Sequence, residues 1–158
     1  MKRRAIIFGG STSGLFSAAL LRQIGWDVDV YERSRAELVG RGAGITGHPE
    51  LFETLEASGA GTKDLGVQVP RRIAIDRNGR VTEDRPLRQI LTLWDRLHRL
   101  LRATFDQVHY HLGRDFERVE QDERGVRVRF SDGGIEHADI LVGATVSART
   151  CADRWRRM

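Results

Sequence analysis

Cysteine, lysine, proline and long apolar runs are all scarce in this chain of 158 residues. The single cysteine, Cys151, excludes a disulfide framework and fits a reducing cytoplasm. No run of roughly 18 consecutive apolar residues occurs, which excludes a hydrophobic spanning helix. The amino terminus passes from Met-Lys-Arg-Arg into the short apolar run Ala5–Phe8, too brief for a secretory leader, so a cytoplasmic protein is expected. Only three prolines interrupt the chain, and no repeat or low-complexity segment separates it into two domains. Lysine appears twice, at Lys2 and Lys63, so nearly all of the 26 basic side chains are arginine. GC-rich arginine codons account for that bias. With no basic stripe and no interleaved aromatics, a nucleic-acid partner is not expected.

What is present is enough for one domain with a core: 40% of residues are hydrophobic and 30% charged. Residues 3–8 read as a buried strand closed by Gly9-Gly10, and residues 13–24 as a helix stopped by Gly25. Residues 26–32 (WDVDVYE) supply a second strand, completing a βαβ unit within about 30 residues, whose crossover implies a parallel sheet. Residues 38–47 read as a glycine-rich loop and 49–57 as a short amphipathic helix. Asn78-Gly79 between residues 71–75 and 80–82 signals a hairpin. Residues 94–105 form a helix with Leu97, Leu100, Leu101 and Phe105 on one face. A second hairpin is expected over 115–121 and 125–131, and a further strand over 138–142. Arg96, Arg99 and Arg102 read as a solvated helix face, and His98 as a surface or boundary residue. His109 and His111 stand two apart on an apparent strand, without a cysteine or third histidine nearby, so no metal site is expected.

The chemistry concentrates in the turn Gly9-Gly10-Ser11-Thr12-Ser13-Gly14. A dinucleotide turn needs glycine for its tight bend, for close approach of a pyrophosphate and for helix–strand packing. Gly9 and Gly14 hold the outer positions and Ser11 the middle one. The following helix N-terminus favours an anion. Glu32 ends the second strand, where a carboxylate accepts from both ribose hydroxyls and disfavours a 2′-phosphate. The bland alternative is a glycine turn that only connects elements. Ser11 and Ser13 lack the histidine and carboxylate of a nucleophilic triad.

In this order, the segments GGSTSGLFSAALLRQIGWDVDVYER, RGAGITGHPELFETLEASG, TLWDRLHRLLRATF and RFSDGGIEHADILVGA resemble the FAD-dependent aromatic hydroxylases. The Gly-Gly-Ser turn and the Thr-Leu-Trp-Asp helix start are similar to the 2,6-dihydroxypyridine hydroxylase branch. The resemblance spans residues 4–144 and implies the N-terminal part only of such an enzyme. The fold it implies is α/β, a Rossmann-like FAD-binding βαβ domain with a parallel sheet and added β-hairpins, truncated. It implies further that Gly9 and Gly10 belong to the cofactor-binding turn and that Ser11, Thr12, Ser13 and Gly14 hold the FAD pyrophosphate, with Glu32 on the adenosine ribose and Arg33 following it. Arg41, which alone reads as a solvated loop arginine, and Gly44 match the loop near the flavin. His48 falls where that branch often has a polar cofactor contact, and Trp94 replaces an arginine common in relatives. The family uses NAD(P)H to reduce the flavin and O2 to hydroxylate a small aromatic substrate. No catalytic residue can be named. Another FAD- or NAD-linked oxidoreductase with the same βαβ unit, or a non-catalytic remnant, remains an alternative reading.

The family continues from the last strand with Gly-Ala-Asp-Gly, whereas this chain reads GATVSARTCADRWRRM. Adding a G before the Thr145 codon turns it into an Asp codon. The next codons, shifted by one base, then allow Gly, Val, Arg and Ser in place of Val146, Ser147, Ala148 and Arg149. Residues 1–144 are therefore expected to be a partial cofactor domain, and 145–158 a frameshifted tail. That tail holds Cys151 and four arginines against one aspartate, so it carries three of the four net positive charges.

Overall fold

Strand β1, Arg4–Phe8, sits between two cores, and its alternating side chains feed both. Ala5 and Ile7 face one apolar cluster, Ile6 and Phe8 the other, all at most 2% exposed. A strand buried on both faces is what a nearly continuous apolar run encodes. This computed structural model describes residues 2–40 and 42–145 and the backbone of 155–157.

Helix α1, Thr12–Gln23, crosses from β1 to β2, Asp27–Glu32, which pairs with β1 in parallel. Its end is a Schellman turn: the Trp26 N–H reaches the Leu21 carbonyl and the Gly25 N–H reaches that of Arg22, with Gly25 at φ 88°. The loop 38–47 is not wholly a loop, because Gly44–Gly47 forms β3. Helix α2, Pro49–Ala57, follows and buries Leu55. The first hairpin is longer than the sequence suggests, with β4 at Val67–Ile75 and β5 at Val81–Leu93. Strands β3, β5 and β4 make an antiparallel sheet in that order.

Helix α3, Trp94–Arg102, packs against α1 and places Leu97 and Leu101 beside Leu15 and Ala18. It ends three residues before its expected limit, yet Phe105 is still buried. Strand β6, Tyr110–Leu112, pairs with β2 in parallel. The second hairpin is β7, Phe116–Asp122, with β8, Gly125–Phe130.

The expected strand 138–142 is instead two strands. Ile135–Ala138 is β9, antiparallel to β8, and Ile140–Gly143 is β10, parallel to β1. Asp139 makes the transfer between sheets: its Oδ2 accepts from the Arg4 N–H, while its own N–H donates to the Arg4 carbonyl. The backbone of Trp155–Arg157 forms β11, parallel to β7.

The result is a parallel sheet, β10-β1-β2-β6, covered on one face by α1 and α3 and on the other by the sheet β11-β7-β8-β9. Phe8 stacks on Phe116 at 4.2 Å between the two sheets. The α/β fold with a parallel sheet and added hairpins is thus present, and no described helix is long and apolar enough to cross a membrane.

Candidate functional site

The glycine turn leaves β1 at the C-terminal edge of the parallel sheet, the edge at which open α/β sheets bind ligands. Gly14 lies in the first turn of α1, where an added Cβ would stand 1.8 Å from the Gly9 carbonyl oxygen. Only glycine lets the helix approach the strand end this closely. At Gly10 an added Cβ would fall 2.0 Å from the Tyr110 hydroxyl oxygen. The turn is therefore tightly packed, against backbone at Gly14 and against the Tyr110 side chain at Gly10.

Ser11 caps α1 with extended backbone angles, but its side chain accepts no capping bond and no acid occupies the first turn. The first helical N–H groups are thus not neutralised by a side chain, the condition for holding an anion. Ser13 Oγ donates to the Ala144 carbonyl at 3.3 Å, tying the helix start to the end of β10.

Glu32 closes the other side. It is 7% exposed, and its Oε2 accepts from the Gly10 N–H and its Oε1 from the Ser34 N–H, both at 2.8 Å. Each oxygen keeps lone-pair capacity for a second donor. Beside these residues opens a cleft of about 210 Å³ lined by Gly9, Ser11, Glu32, Arg33, Trp94 and Arg114, among others. Tyr31 also lines it, and burial, followed by the charges of Asp29 and Glu136, pushes its hydroxyl up to about 12.

The structure brings Gly9, Ser11, Glu32 and Arg33 to this one cleft, with Gly10, Thr12, Ser13 and Gly14 in the adjoining turn. Gly44, in β3, and His48 lie outside it. His48 precedes α2, meets Glu50 at 2.9 Å and borders a separate depression with Phe52 and Arg88. Arg41 falls outside the described residues.

Three expectations need correction or extension. His98 is not a boundary residue: it is 2% exposed, and its Nε2 lies 2.9 Å from the Gly10 carbonyl oxygen. Arg96 and Arg99 are exposed, but Arg102 is not part of a solvated face, since its guanidinium lies 3.9 Å from the centre of the Tyr110 ring and pairs with Glu37. His109 and His111 each approach Asp29 Oδ1 at 3.2 Å, so both imidazoles serve a buried carboxylate. Among the described residues, no group of three or more His, Cys, Asp or Glu side chains could hold a metal ion.

Tyr110 is the residue that sequence reasoning missed. Its hydroxyl donates to the Gly10 carbonyl at 3.1 Å. Burial first, and then the charges of Glu32 and Glu37, push that hydroxyl far above the usual phenol range, so it stays a donor.

No family model matches the chain. It is 34% identical over 152 residues to 2,6-dihydroxypyridine 3-monooxygenase of Paenarthrobacter nicotinovorans, covering 96% of this chain and 38% of that protein. To 3-amino-4-hydroxybenzoate 2-monooxygenase of Streptomyces cremeus it is 33% identical, covering 89% and 39%. Among solved structures, 2,6-dihydroxypyridine-3-hydroxylase from Arthrobacter nicotinovorans superposes with a TM-score of 0.78 at 34% identity, covering 89% of this chain and 36% of that one. A Klebsiella pneumoniae HpxO variant complexed with FAD gives 0.73 at 26% identity, covering 88% and 38%. The chain thus spans less than two fifths of the length of these relatives. By sequence and by fold together, the chain is similar to a part of the FAD-dependent monooxygenases.

Proposed function

We propose that this chain is the FAD-binding portion of a flavin-dependent monooxygenase that hydroxylates a small aromatic or heteroaromatic ring, using NAD(P)H and O2. The observation that carries the reading is the uncapped start of α1 and the Glu32 carboxylate facing a single cleft. The turn fits a dinucleotide: Gly14 lets the start of α1 pack directly against the end of β1, and no protein anion competes in the first turn. The amides of Ser11, Thr12, Ser13 and Gly14 would hold the pyrophosphate and Glu32 the adenosine ribose, with Arg33 at the rim. Roles for Arg41, Gly44 and His48 near the flavin rest on the family resemblance alone. The flavin, when bound, supplies the redox and oxygen chemistry, and the protein supplies position and electrostatics.

Titrating the chain with FAD and, separately, with NADH tests this reading. Saturable quenching of flavin fluorescence supports it. A response to NADH alone supports a nicotinamide-linked oxidoreductase, and a cooperative unfolding transition without affinity for either supports a non-catalytic remnant.

The domain boundary belongs to the same proposal. Residues 1–144 make a partial cofactor domain, and 145–158 are read in a shifted frame. Of that tail, residues 146–154 and 158 lie outside the described residues. Genomic sequence across codon 145 decides the matter: one restored base should open a long frame, and a prompt stop codon in that frame contradicts it.

A further inference from the structure

Gly10 is held by three side chains, two of which, His98 and Tyr110, have no part in the cofactor reading. Its N–H donates to Glu32 at 2.8 Å, and its carbonyl oxygen receives both His98 Nε2 at 2.9 Å and the Tyr110 hydroxyl at 3.1 Å. Both side chains are nearly inaccessible, at 2% and 4% exposure. A carbonyl oxygen only accepts, so the His98 proton sits on Nε2. The two donors reach Gly10 from 88 and 100 residues away in sequence.

The consequence follows from the planarity of the peptide. In a trans peptide the C=O of one residue and the N–H of the next point in opposite directions. The described structure has no cis peptide bond. With the Gly10 carbonyl drawn inward to His98 and Tyr110, the Ser11 N–H must point away from them, and Ser11 is one of the residues that line the cleft. Trp94, another cleft residue, stacks on His98 at 4.7 Å with an interplanar angle of 13°, and Arg102 lies against the Tyr110 ring. The inner wall is therefore itself braced.

We propose that His98 and Tyr110 are positioning residues of the nucleotide site: by donating to the Gly10 carbonyl they fix the Gly10–Ser11 peptide with its N–H toward the cleft. The inference rests on the cofactor reading for the identity of the ligand, but not for the peptide orientation. Such preorganisation lowers the ordering cost of binding, because the donor need not be turned when the anion arrives.

The test compares His98→Leu, His98→Gln and Tyr110→Phe in the full 158-residue chain, by two measurements. Gln has its Nε2 at the same bond count from Cα and restores a donor, whereas Leu does not. In the ligand-free protein, amide NMR shifts and hydrogen exchange should change at Ser11 and Thr12 in His98→Leu and return toward wild type in His98→Gln. FAD titration should show at least tenfold weaker binding for His98→Leu, about threefold for Tyr110→Phe, and recovery to within about threefold for His98→Gln. Unchanged Ser11 amide behaviour in His98→Leu, or His98→Gln as impaired as His98→Leu, overturns the inference. If His98→Leu does not fold, an unperturbed Ser11 amide in Tyr110→Phe overturns it, and a perturbed one supports it. A wild-type chain that ignores FAD rejects the cofactor reading, while the ligand-free measurement still decides the peptide orientation.

Discussion

Gly10 is gripped on both sides of its peptide by buried side chains, whereas Val67, Ile73, Ile75, Val81, Leu91 and Leu93 of β4 and β5 stand between 43% and 70% exposed. The two regions come from one chain and differ in what surrounds them. The parallel sheet has a helical layer on one face and an antiparallel sheet on the other, so its apolar surface is enclosed. The β4–β5 ribbon is held instead by its ladder, by the Arg71–Asp84 and Arg85–Glu83 ion pairs, and by Asp76 accepting from the N–H groups of Asn78 and Arg80 at the turn. Exposed ion pairs are worth about 0–1 kcal/mol each. Stability is therefore concentrated at the sheet that carries the turn, and the ribbon contributes apolar surface without the benefit of burying it.

Truncating an aromatic in the enclosed layer should have the largest effect. Phe130 is fully buried between the sheets, and Phe130→Ala is expected to cost about 3–5 kcal/mol in denaturant unfolding. Next comes the turn: Gly14→Val pushes a side chain into the Gly9 carbonyl, for about 3 kcal/mol, with FAD binding weakened at least tenfold in titration.

Asp29 gives a smaller effect with a pH signature. Burial alone would raise its pKa, but hydrogen bonds from Arg4, His111 and His109 outweigh that and hold it below the ordinary carboxylate value. A depressed folded-state pKa stabilises the fold above the unfolded value and loses that contribution as pH falls through the folded one. Asp29→Asn should therefore cost about 2 kcal/mol at neutral pH and less below about pH 4, read from unfolding midpoints across pH. The smallest effect belongs to the ribbon, where Ile75→Ala should change stability by less than about 0.5 kcal/mol. An Ile75→Ala cost approaching that of Phe130→Ala would erase the contrast between the two regions.

The same contrast explains what could be read from the sequence. The β1–α1–β2 unit was legible because its signals are local: a continuous apolar strand, glycines at a tight turn, and Gly25 at a helix end. The full length of β5 was not, because Glu83, Asp84, Arg85 and Arg88 lie on a solvent-exposed ribbon and leave no alternation to detect. β3 was hidden among glycines, since its backbone is fixed by pairing with β5 rather than by its own residues. The break at Asp139 comes from Arg4, far away in the chain. At the site, the turn and Glu32 could be found by spacing, but His98 and Tyr110 could not. Their partner is a backbone carbonyl, which has no signature in sequence.

The central claim is that the start of α1, together with Glu32, forms a dinucleotide site. Hydrogen exchange of the wild-type chain with and without saturating FAD tests it most directly. The account predicts protection concentrated at Ser11–Gly14 and in the Glu32–Ser34 segment, with little change in β4 and β5. Exchange in that turn that is unaltered by FAD, or protection confined to the β4–β5 ribbon, would contradict it.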